Sequence, residues 1–288
     1  MRKWTIGAAV FLWAFTAHSA SVQVGYHVGD VFEIKRDIES KQEAGAGSSG
    51  SSTDRDVIME RVVGISQAGP ELEYDLTKDT TPEDRARQWQ FPARVLKPPH
   101  GPLQLLDRRE LEVRAAAWLK SAGLTQAACG QWYFTWNAFR IDCDPQSAID
   151  TIEGFDLGPD ELIDGASYRD SKALSSTPLK RKASSPDGAV YFVEMAVDPD
   201  AVRRDQADSD VVVATIMRKP LTREAALNAR ATEDVAGTIA ITFETDPVGH
   251  VWRQTKVTKL HIKAREGQIE TRTTTETLER RLVSQRTN

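Results

Sequence analysis

The residues best suited to chemistry are the two cysteines, Cys129 and Cys143, which bracket the stretch CGQWYFTWNAFRIDC. Three roles suit a cysteine pair at this spacing: a structural disulfide, a nucleophilic thiol, or part of a metal site. One straight strand between them would hold the sulfurs roughly 40 Å apart, beyond any bond. The aromatic alternation changes phase, however: Trp132, Phe134 and Trp136 fall on even positions, Phe139 and Ile141 on odd ones. A hairpin turning at Trp136 produces that slip and sets Cys129 opposite Cys143, whereas a β-bulge would produce it and leave the thiols free or paired between molecules. Closing a loop of about 15 residues stabilises a fold by ~3 kcal/mol on the chain-entropy model. A disulfide is therefore expected.

The other two roles fit less well. Cys129-Gly-Gln-Trp132 has a superficial likeness to thiol hydrolases, and His100, His250 and His261 could serve as bases. The Cys-Trp adjacency of transglutaminases is missing, as is the Cys-Gly-Ser-Cys-Trp run of papain-like enzymes, and the second cysteine would trap the first. For a metal, the histidines show no helical i, i+4 pair, and Asp205, Asp208 and Asp210 lack the glycine of a calcium loop. There is no Gly-x-Ser-x-Gly elbow, phosphate-binding glycine loop, His-Glu-x-x-His or dinucleotide fingerprint. No metal and no cofactor are expected, and the chain reads as a binding protein more readily than as an enzyme.

The aromatic residues supply the alternative. Trp89, Trp132, Phe134, Trp136 and Trp252 form the candidate binding surface, since indole and phenyl rings offer large apolar area with a polar handle.

These groups must be positioned by the elements around them, and the first of those is an export signal. Residues 1–20 combine Arg2 and Lys3, an apolar run from Ile6 to Phe15, and small residues at Ala17, Ser19 and Ala20. The run is too short to span a membrane. Cleavage after Ser19 or Ala20 is expected, with residence in the periplasm or outside the cell, where thiols oxidise. No anchor is expected in the mature chain. Removing Arg2 and Lys3 moves the net charge of −5 two units further negative, which disfavours nucleic acid as a partner. The basic cluster Lys180-Arg181-Lys182 reads as exposed linker charge.

Residues 21–288 read as one secreted α+β domain built on a mainly antiparallel, curved sheet of half-barrel type, with a few helices packed on one side. Strand patterns run through residues 28–38, 56–65 and 72–76. The small-residue tract 44–53 reads as a flexible loop, and 158–188 as loop-rich. Asp107 with Glu110 marks the start of a helix ending near Gly123, and Asp144-Pro145 the start of a second. Residues 189–197 and 210–217 read as strands, with a helix from Thr222 to Arg230.

Residues 237–278 alternate as a three-strand meander. Its last strand carries Thr at five of the seven positions from 271 to 277, which suits an edge or a wet groove. The amino-terminal and carboxy-terminal β zones are each too small for a large core, so they should join into one sheet. In strand order and compartment this resembles the half-barrels of periplasmic lipoprotein carriers, a likeness that no motif carries. The expected role is an envelope protein binding an apolar small molecule or a partner protein. The alternatives are a secreted hydrolase and a structural subunit pairing through an edge strand at Thr271–Thr277.

Overall fold

The computed structural model describes residues 26–284 apart from 100, 135–137, 160–161 and 265–266. The export signal expected at 1–20 lies outside the described residues, as do His100 and Trp136.

Strand β1 (Val31–Ala44) turns through a short 3-10 segment at Gly45–Gly47 and returns as β2 (Ser48–Ser66), which leads to β3 (Gly69–Leu76). Helix α1 (Pro82–Arg87) starts where the Thr81 hydroxyl accepts the Asp84 N–H at 3.1 Å. The short strands β4 (Ala93–Leu96) and β5 (Gln104–Leu105) precede α2 (Arg108–Ser121). The hairpin β6 (Trp132–Phe134) and β7 (Ala138–Arg140) is followed by α3 (Ser147–Glu153). A small ribbon, β8 (Ser167–Tyr168) with β9 (Thr177–Pro178), leads into β10 (Lys180–Ser185) and β11 (Gly188–Ala196). Helices α4 (Pro199–Ile216) and α5 (Arg223–Arg230) come next. The chain closes with β12 (Asp234–Thr245), β13 (Val251–Lys263) and β14 (Ile269–Ser284).

Ten strands form one open antiparallel sheet in the order β10-β11-β12-β13-β14-β1-β2-β3-β4-β5. The expected α+β fold with a mainly antiparallel curved sheet is what the chain adopts. Its two β zones do join: β14 pairs with β1 from Val31 opposite Ser284 to Ala44 opposite Glu270. Side chains alternate across the sheet. Ile34 on β1 therefore shares a face with Ile58 on β2, and Leu72 on β3, with Val193, Ile239, Ile241 and Phe243 at the other end, belongs to the same core. Leu111 and Ala115 of α2, Ile149 and Ile152 of α3 and Val202 of α4 bury against that core.

Four readings are corrected. The tract 44–53 is not a loop. Only Gly45–Gly47 turns, and residues 48–53 continue β2 in register with β1, Ser48 opposite Ala44 and Thr53 opposite Glu39. Serine and threonine need no apolar partner when backbone hydrogen bonds hold both sides of the pair. Residues 158–179 are loop-rich as read, with only the short β8–β9 ribbon, but Lys180-Arg181-Lys182 is no linker: it belongs to edge strand β10 of the sheet. Residues 210–217 are not a strand but fall mostly within the final turns of α4. Its Asp198 cap accepts the Asp200 N–H at 2.9 Å, and Asp210 is held by both Nε and Nη2 of Arg230 at 2.9 Å. That context overrides the β-branched run. Finally, β14 is not an edge but the centre of the sheet, paired on both sides, which removes the subunit reading through Thr271–Thr277.

Candidate functional site

The cysteines form the expected bond. Cys129 and Cys143 are joined with their Cα atoms 5.6 Å apart, and no free cysteine remains among the described residues. Trp132 pairs with Arg140, Tyr133 with Phe139 and Phe134 with Ala138, so the hairpin is centred where the phase slip put it. The nucleophile reading for Cys129 ends there.

The candidate aromatics do not converge. Trp89 is 5% exposed and belongs to the main core. Trp252 is 39% exposed on β13, outside the cleft described below. Trp132 and Phe134 lie on β6 in the stapled hairpin, where the neighbouring Tyr133 and Phe139 stack with ring centres 6.0 Å apart. Among the described residues, no group of three or more His, Cys, Asp or Glu could hold a metal ion.

The structure places a different site on the core side of the sheet. A cleft of about 1540 Å³ opens between the sheet, the proline-rich segment around Pro98, Pro99 and Pro102, and the end of α3. Ile34, Leu103, Ile152, Phe155, Leu157 and Leu162 give it apolar walls. The hairpin turns at Gly69, Gly188 and Gly249 border it. Gly188 is required there: its φ is +136°, and a Cβ would lie 1.8 Å from the Thr245 carbonyl oxygen.

The cleft also carries a buried polar cluster. Glu60 on β2 is 4% exposed, and one carboxylate oxygen is ion-paired with the Arg280 guanidinium of β14. Its other oxygen accepts the Tyr74 hydroxyl of β3 at 2.8 Å. Arg280 also lies over the Phe32 ring at 3.6 Å and the Tyr26 ring at 5.0 Å. Burial opposes its charge, and the Glu60 carboxylate together with the Tyr26 and Tyr74 phenols more than offsets that, so its pKa rises. Burial pushes the Tyr74 phenol well above its usual value, and the Glu60 charge adds to the effect. These shifts keep the Arg280 guanidinium charged and the Tyr74 phenol neutral at physiological pH.

Around the rim, Lys97 lies 3.9 Å from Asp156, and His250 Nδ1 lies 3.2 Å from Asp246. The Asp246 carboxylate also accepts the backbone N–H groups of Val248 and His250, so it builds the β12–β13 turn. Of the histidines considered as bases, only His250 among the described residues lines the cleft.

The sequence reading did not find Glu60, Tyr74 or Arg280. A signal existed: Glu60 stands between Ile58 and Val62, and Arg280 two positions after Leu278, each on the buried phase of its strand. A charge on that phase must be paired or solvated.

No family model and no curated protein match the chain. Among solved structures it is similar to one described as "Lipid-protein interactions in lipovitellin", with 7% sequence identity and a TM-score of 0.37, over 91% of this chain. The chain covers 26% of that chain's length, and at this score and identity the likeness bears on neither ligand nor role.

Proposed function

We propose that the chain is a non-catalytic binding protein that holds an apolar or amphiphilic ligand in the cleft on the core side of its sheet. One observation carries this reading: a cleft of about 1540 Å³, larger than ordinary small-molecule pockets, with apolar walls from Ile34, Leu103, Ile152, Phe155, Leu157 and Leu162. Both Glu60 oxygens in the cluster already have partners, as befits a wall that orients a ligand without reacting with it.

The protein works in an oxidising envelope compartment or outside the cell. The Cys129–Cys143 bond supports this, together with the charged, apolar and small-residue order of residues 1–20. No helix among the described residues is long and apolar enough to cross a membrane.

Protein purified from the envelope without detergent should carry an organic-extractable ligand, seen as added mass under non-denaturing conditions and lost after extraction. Leu103→Trp, which fills part of the cleft at a half-buried loop position, should lower that occupancy without changing the melting temperature. An empty wild-type protein that also fails to take up acyl-chain probes would overturn the proposal.

A further inference from the structure

Arg181 differs from the other basic side chains on the cleft wall. Glu60 and Arg280 neutralise each other, Lys97 faces Asp156, and His250 faces Asp246. Arg181 has no carboxylate within ion-pairing distance among the described residues. Its Nη2 donates to the Tyr191 hydroxyl at 2.9 Å, and its guanidinium carbon lies 5.3 Å from the centre of the same ring. Tyr191 is 5% exposed, so the cation is steered by a group fixed in the core. The nearby acid, Asp164, accepts the Arg181 backbone N–H at 2.8 Å. Flanking Lys180 and Lys182 add positive charge to the same strand.

A guanidinium held against a neutral partner keeps most of its five donors for an incoming group, in a fork suited to carboxylate or phosphate oxygens. Ser184, on the same strand, also lines the cleft. The part of the lining at α3 differs in sign: Glu153, exposed at the carboxyl end of that helix, repels an anion, as does the helix terminus. We propose that Arg181 is the headgroup seat of the cleft, so that its ligand is an anionic amphiphile: an acyl chain ending in a carboxylate or a phosphate. This rests on the binding reading above and narrows it.

The test measures binding of four probes to the full-length expressed protein: oleate, 1-oleoyl lysophosphatidate, oleyl alcohol and oleylamine. Both anions should bind about tenfold or more tightly than the alcohol, and the amine most weakly, in line with a charge-assisted hydrogen bond. Whichever anion binds more tightly tells carboxylate from phosphate. Arg181→Gln should weaken both anions until they bind no more tightly than oleyl alcohol, while Arg181→Lys should keep a reduced preference. Equal binding of alcohol and anions, or an anion preference that survives Arg181→Gln, overturns the headgroup seat and leaves the cleft reading intact. Binding of none of the four overturns both.

Discussion

Glu60 and Arg280 occupy positions where strand alternation asks for apolar side chains, and each carries the other's counter-charge there. Removing one partner leaves an uncompensated charge in the core, so Glu60→Ala should cost about 3–5 kcal/mol. The double replacement Glu60→Met with Arg280→Leu should cost less than either single change, because no charge is stranded. Urea unfolding of Glu60→Ala, the double variant and its two single changes measures both. The buried phenols make a separate test. Tyr168 packs edge-on against Phe243, and burial, with Asp170 and Asp156 adding to it, lifts its pKa to about 12. A phenol whose folded pKa exceeds its unfolded value of 10.0 contributes stability in full below pH 10 and loses it as pH rises. Unfolding free energy should therefore fall between pH 10 and 12, and less steeply in Tyr168→Phe.

At the scale of elements, the sheet separates pairing from burial. The tip of the β1–β2 hairpin is exposed over residues 48–56 of β2, yet stays in register through its backbone. Replacing residues 41–51 by an Asn-Gly turn between Ser40 and Ser52 should change stability by less than about 1 kcal/mol, since little apolar surface is lost. The β10–β11 turn is the opposite case. Gly188→Ala meets both a positive φ and the Thr245 backbone, and should cost ~2 kcal/mol or more in thermal or urea unfolding. Replacing Cys129 and Cys143 together by serine should cost about 3 kcal/mol, read from the same curves with and without reductant. These contrasts explain what the sequence could disclose. The hairpin between the cysteines was legible because an aromatic phase slip marks a turn locally. The α4 helix was not, because Val211–Val213 favour a strand and only the pairing of Asp210 with Arg230 reveals the tertiary context. The threonine tract declared its strand but not its place, because polarity reports which faces are wet and is silent about neighbours.

At the scale of the whole molecule, the sheet was legible as one antiparallel unit, since neither β zone could bury enough apolar surface alone. The cleft was not, because its walls come from β1, β2, β3, β14, α3 and a proline segment far apart in sequence, and no local pattern states that convergence. Strand β14 is the joint, pairing β13 of one half with β1 of the other. A chain truncated before Ile269 should lose its cooperative thermal transition by circular dichroism, since two central edges would open at once. The same joint sets how the molecule answers to force. Val31 and Ser284 lie side by side at one end of an antiparallel pair, so tension applied at these two residues loads the β1–β14 rungs one after another. The protein should unzip down its middle at low force instead of shearing many bonds together, parting the sheet along the line that joins its two halves.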